Sequence, residues 1–184
     1  MIKVELTNRR WAMLAPVLFL GACAGPKLAD YAATTPPLVL EQALVGESTA
    51  YGIFESRSGK LQRRFVVDVT GTWDAAAQVL TLDERFRFDD GQTDQRIWKF
   101  KKTADGAYIG TAGDVVGEAR VAIAGAAATF TYKVDLKVGD GSVRVRFRDW
   151  LYRIDQDVIV NRAKVTKFGL RVGEVTVVFT TPGA

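Results

Sequence analysis

From Ser48 to Thr180 the chain alternates apolar and polar residues, and β-branched and aromatic side chains are frequent. Turn signals recur about every 8–14 residues along it. This texture limits the possible folds more than any other feature, because a period of two puts one face of each strand in a core and the other in water. Strands are predicted at 48–55, 61–70, 78–89, 93–102, 106–112, 117–124, 127–138, 142–152, 158–168 and 170–180. The junctions Ser58-Gly59, Asp89-Asp90-Gly91, Asp105-Gly106 and Gly139-Asp140-Gly141 supply the positive-φ positions that tight hairpins need, and Asp155-Gln156-Asp157 marks a further turn. No helical segment is long enough for a crossover between parallel strands, so the pairing is antiparallel.

Ten sequential strands left as an open sheet would expose two long edges, and closure removes them. The expected fold is all-β: an antiparallel meander of about ten strands, closed or nearly closed into a lipocalin-like barrel. A barrel of that size has room for a small apolar ligand. Leu38 to Leu44 predicts one short helical turn, a lid or plug at the start of a domain spanning 38–184.

The N-terminus has a different texture. Lys3, Arg9 and Arg10 precede an apolar run from Trp11 to Leu20, which has the length of a signal-peptide core and about half that of a membrane span. Leu20-Gly21-Ala22-Cys23 follows and resembles the bacterial lipobox. That resemblance implies a signal peptide over 1–22, lipidation of Cys23, and a lipidated tether over 23–37 marked by Pro26, Pro36 and Pro37. Two or three acyl chains meet the double requirement for stable anchoring. Ala24 after the cysteine favours the outer membrane, so the expected location is the cell envelope, facing the periplasm. A lipobox, together with outer rows that are charged, argues against a transmembrane barrel.

Composition narrows the function classes. Histidine is absent and Cys23 is the only cysteine, which excludes Ser-His-Asp and Cys-His mechanisms, His-ligated metals and an internal disulfide. No cofactor and no metal site is expected. Loss of 1–22 would remove three basic residues and Glu5, leaving 22 Lys+Arg against 20 Asp+Glu in the remainder. No basic tail or dense basic block remains, which argues against nucleic acid as a partner. A monomer is expected.

Charges interrupt three of the apolar rows. Glu84 breaks the row Leu80, Leu82, Phe86, Phe88; Asp149 breaks Val143, Val145, Phe147, Leu151; and Arg96 shares a face with Trp98 and Phe100. A lone charge in such a row is costly unless paired or solvated. These groups therefore form either a structural ion pair such as Arg96–Glu84 or a polar anchor in a binding pocket. The opposite faces carry Asp83, Arg85 and Arg87, and Arg144, Arg146 and Arg148, which read as solvated outer rows or as a basic stripe for anionic headgroups. Lys164 and Lys167 fall on opposite faces before Gly169, which suits a sharp hairpin. Trp73, Trp98 and Trp150 read as core or barrel-closing residues.

Several blocks occur together in order: Leu82-Asp83-Glu84-x-Phe86-x-Phe88, Arg96-x-Trp98, Asp114-Val115-Val116, Arg148-Asp149-Trp150-Leu151-Tyr152, Asn161-Arg162-Ala163 and Thr166-Lys167-Phe168-Gly169. The sequence resembles the DUF3833 family, bacterial lipoproteins of uncharacterised function, over roughly 37–180. The departure is Gly125-Ala126-Ala127, where the family pattern has an asparagine at the middle position. Glu84, Arg96, Asp149 and Asn161 lie inside the family's blocks, which assign them no role. The resemblance points weakly to lipid chemistry.

Three functions fit these observations. The first is a lipid or small-amphiphile binder without catalysis, taking a lipid or fatty acid and held to the membrane by its N-terminal lipid. The second is an accessory lipoprotein that binds a protein partner. The third is a carboxylate-based enzyme in which Glu84 works with Asp149 or Asp114.

Overall fold

The computed structural model describes residues 25–138 and 141–181. The strands, in chain order, are β1 (Gly46–Ser56), β2 (Leu61–Asp74), β3 (Val79–Phe88), β4 (Thr93–Lys102), β5 (Tyr108–Thr111), β6 (Val115–Val116), β7 (Ala119–Ala124), β8 (Ala127–Val138), β9 (Gly141–Arg153), β10 (Val158–Lys167) and β11 (Leu170–Thr180). All pairings are antiparallel. β1 pairs with β11 and β8 with β9, which closes ten strands into a barrel. The two-residue β6 is the addition to the meander; it pairs with β8 beside the mouth.

Hairpin chemistry sets the strand ends. Gly59, Gly91 and Gly106 take positive φ where the sequence predicts tight turns. At the β10–β11 turn, Phe168 and Gly169 adopt φ of 51° and 80°. The predicted Gly139-Asp140 turn lies outside the described residues.

The barrel has a plugged end and a mouth. Leu40–Ala43 forms the one-turn helix α1, and Leu38, Leu40, Ala43 and Leu44 are buried. The plug is fastened by Glu41, which accepts hydrogen bonds from Lys102 Nζ and the Tyr108 hydroxyl. Gly71 makes this possible: a Cβ there would lie 1.7 Å from the Leu44 carbonyl oxygen.

The stretch expected as a loose tether over 23–37 is docked for most of its described length. Leu28–Tyr31 forms a 3-10 turn, and the Tyr31 ring packs at 5.7 Å from Trp150 and 5.6 Å from Tyr152. The Ala126 amide donates to Thr34 Oγ1 at 2.8 Å, Leu38 N–H donates to the Gly125 carbonyl, and Arg153 donates to the Pro37 carbonyl. Aromatic contact and satisfied backbone groups outweigh the loop-like composition on which a tether was expected. Trp150 is consequently an outer-face residue under Tyr31, and only Trp98 of the three tryptophans is fully in the core; Trp73 is partly buried.

The wall has one seam. β4 pairs with β5 only over Lys99–Lys102, so the segment 93–98 has no strand partner on that side. The connection from β5 to β6 crosses this gap.

Candidate functional site: a polar cluster inside the barrel

The apolar rows of the barrel strands converge on a cavity of about 1290 Å³. It runs from Leu40 and Leu44 of the plug to Phe88, Gln92 and Val172 at the mouth. The upper walls are aromatic and aliphatic, with Phe54, Phe65, Phe86, Phe147, Val165 and Val175 among them. Glu84, Arg96, Asp114, Tyr132, Asp149 and Asn161 supply the polar lining of its deeper part.

Period-two geometry puts each of these groups inside. Glu84 is the middle residue of an inward row on β3, directly opposite Arg96 on β4. Register alone would make them the expected ion pair, but the guanidinium goes elsewhere. Arg96 Nε donates to Asp114 Oδ2 at 3.1 Å, and Nη2 donates to the same oxygen. The physical reason is the seam: with no strand beside it, Arg96 is free to lean across the gap to the loop that carries Asp114. The pair bridges the opening in the wall.

Asp149 sits on β9, opposite Phe130 of β8 and Ala163 of β10. Its Oδ2 accepts a hydrogen bond from Asn161 Nδ2 at 3.1 Å and a longer one from the Tyr132 hydroxyl at 3.5 Å. Its Oδ1 is buried and has no partner among the described residues. Asp149 is 5% exposed and Glu84 9%. Among the described residues no side-chain hydrogen bond reaches the Glu84 carboxylate. Burial pushes the Glu84 carboxyl up to about 7; nearby Arg96 opposes this, and Asp114 and Asp83 add to it. Burial likewise raises Asp149 to about 7, with the Asn161 hydrogen bond and Arg96 opposing. Both groups therefore exchange protons near neutrality.

The four residues singled out in the sequence, Glu84, Arg96, Asp149 and Asn161, thus line one cavity, contributed by β3, β4, β9 and β10. Sequence reasoning missed Tyr132 and reached Asp114 only as an alternative catalytic partner of Glu84. Tyr132 sits in a row that reads as uninterrupted because its ring is apolar, although its hydroxyl faces Asp149. Asp114 lies in a loop, where periodicity gives no inward direction. At the mouth, the Arg63 guanidinium lies 3.5 Å from the Phe88 ring centroid and is held by Asp90 at 2.8 Å. The lipobox expected at Leu20–Cys23 lies outside the described residues. No group of three or more acidic or thiol side chains is placed to hold a metal ion among the described residues.

The profile of the family described as "Protein of unknown function (DUF3833)" matches residues 17–181, nearly the whole chain. The chain belongs to the DUF3833 family. In this DUF3833 protein the Ala126 backbone amide donates to Thr34 Oγ1. A comparison with curated proteins finds no match.

Solved structures show the same fold. One is a protein of unknown function from the DUF3598 family of Nostoc punctiforme PCC 73102, with a TM-score of 0.54 and 13% identity over 80% of this chain. The DUF3833 chain spans only about half of that protein, 51%. Another is the S-type phycobiliprotein lyase CPES from Guillardia theta, with a TM-score of 0.50 and 9% identity over 78% of this chain and 91% of the lyase. At these identities the likeness concerns the barrel alone.

Proposed function

We propose that this DUF3833 protein is an envelope lipoprotein, anchored through Cys23 and facing the periplasm from the outer membrane, that holds one lipid or small amphiphile in its barrel without catalysis. The observation that carries the binding reading is the cavity of about 1290 Å³, apolar toward the mouth and polar deeper in. Ligand pockets commonly span about 300–1,000 Å³ and pair apolar walls with a few polar groups that fix orientation. Here the polar groups lie inward of Phe54, Phe65 and Phe86, so a ligand enters head first and leaves its chain against the aromatic upper wall. A barrel of this fold is named as a phycobiliprotein lyase, which is compatible with small-molecule binding.

Membrane association has support beyond the lipobox. On the outer wall Arg146 faces Lys133, and Arg148 faces Lys164. Like charges directly opposite one another destabilise a sheet. None of the four has an ion-pair partner among the described residues, so the wall is suited to anionic headgroups. The same wall carries Tyr31 and Trp150, next to the segment that leads back to Cys23.

The test is native mass spectrometry and solvent extraction of the full chain carrying Cys23→Ser, which removes its own acyl groups from the result. A co-purifying amphiphile near one per chain is expected. Protein that is empty and takes up no added amphiphile overturns the reading.

A further inference from the structure

The chemistry of the cavity specifies the ligand's head, an inference that rests on the amphiphile reading above. The deeper lining holds three carboxylates, Glu84, Asp114 and Asp149, against one guanidinium, Arg96. Asp114 and Arg96 hold each other across the seam, which leaves Glu84 and Asp149 without a cation bonded to either. These two project from β3 and β9, which stand five strands apart around the ring of ten and thus on opposite walls. Asp149 lines the cavity, and its Oδ1 is buried with no hydrogen-bond partner among the described residues. A buried carboxylate oxygen left without a hydrogen-bond donor is destabilising, and a ligand that supplies the donor removes that cost.

The surroundings suit a positive charge. Phe130 stands directly opposite Asp149 and Phe147 directly opposite Tyr132. Phe130, Tyr132 and Phe147 stack in series at 5.3 and 5.4 Å, and the Trp98 ring meets Tyr132 edge-on at 5.3 Å. Aromatic rings are a recurring lining for alkylammonium ligands. A fatty-acid head, by contrast, would add another negative charge between two carboxylates, with the available guanidinium already bound.

We propose that the site takes a cationic amphiphile, an alkylammonium whose nitrogen lies between Glu84 and Asp149 and donates to Asp149 Oδ1 while its chain runs toward the mouth. No bond is made or broken. The charged groups facing the head are Glu84, Arg96, Asp114 and Asp149, with Tyr132 and Asn161 neutral beside them and Asp83 on the outer face of β3. Below neutrality the two carboxyls bind protons in competition with the ligand, so amine affinity falls on acidification.

Decylamine, decanol and decanoate serve as probes, titrated into the full chain carrying Cys23→Ser and followed by calorimetry. At about pH 8 decylamine is expected to bind about tenfold or more tightly than decanoate. Lowering the pH to about 5.5 should weaken decylamine and strengthen decanoate. Glu84→Gln and Asp149→Asn should each reduce decylamine affinity about tenfold and decanol affinity by much less, and circular dichroism of the variants reports that the barrel is intact. Decanoate binding as tightly as decylamine at the higher pH, or variants that leave decylamine unaffected, overturns the cationic head but not the amphiphile reading. Failure of all three probes to bind overturns both.

Discussion

Glu84 and Asp149 are held at about 7, above the ordinary range for carboxyls, because the barrel interior penalises their charged forms. Between about pH 4 and about pH 7 the folded protein therefore keeps protons that the unfolded chain has lost. The stability from these groups is full below the unfolded values and declines as pH rises toward 7. Asp68, Asp83 and Asp135 behave in the opposite sense. Hydrogen bonds from Arg87, Gln95 and Arg144 respectively lower them, so their contribution is lost only on acidification. The interval from about pH 5 to about pH 8 isolates the interior pair. Thermal melts should show wild type losing stability across that interval, with the Glu84→Gln/Asp149→Asn double variant nearly flat. At the upper end each substitution should recover on the order of 3 kcal/mol. A wild type whose stability rises with pH there would contradict the burial argument. These residues were legible in the sequence because a charge that breaks a period-two apolar row can point only inward. Their partners were not. Arg96 faces Glu84 in register yet bonds to Asp114, and the choice depends on a missing strand neighbour that no local pattern records.

The elements that finish the barrel depend on close approach rather than on periodicity. Leu44 reaches its place only because Gly71 has no side chain. Gly71→Ala should displace α1 and lower stability by about 1–3 kcal/mol, measured by denaturant unfolding, and calorimetry should find decanol binding weakened at the plugged end. Gly125 plays the same part for the N-terminal segment: it takes φ of 53°, and a Cβ would lie 2.0 Å from the Tyr31 carbonyl oxygen. Gly125→Ala should release the segment, and the emission of Trp150, freed from Tyr31, should shift to the red. On the outer wall, Lys133→Glu with Arg148→Glu should weaken binding of the full chain carrying Cys23→Ser to vesicles rich in anionic lipid by about thirtyfold, at about 1 kcal/mol per basic residue. Vesicle sedimentation at low and high salt would check this, and unchanged binding would remove the wall from the membrane reading. Strand positions were readable to within a few residues because hairpin glycines and alternation agree. The docking of 28–37 was not, since a segment rich in proline and small residues carries no period, and its aromatic anchor is a single tyrosine against Trp150 and Tyr152.

At the scale of the whole molecule, closure through β1–β11 and β8–β9 turns a meander into a container. That outcome follows from edge energetics, which the strand count alone makes visible. The hollow interior does not follow from the count; small inward residues such as Ala163 leave space that Phe54, Phe65 and Phe86 do not fill. Ala163→Trp, projecting into the cavity from β10, should keep the fold and abolish decylamine and decanol uptake together, as calorimetry would show. A folded variant that still binds either would place the ligand elsewhere.

The docked N-terminal segment also sets a mechanical limit. Four residues separate Cys23 from the turn that begins at Leu28, and the five residue steps make a leash of at most about 18 Å. Because that turn is fixed beside the plug, a chain anchored at Cys23 is moored by its base and one flank, like a cup strapped down near its foot. If the chain is anchored and loaded as proposed, the mouth stands at the end of the barrel away from its mooring.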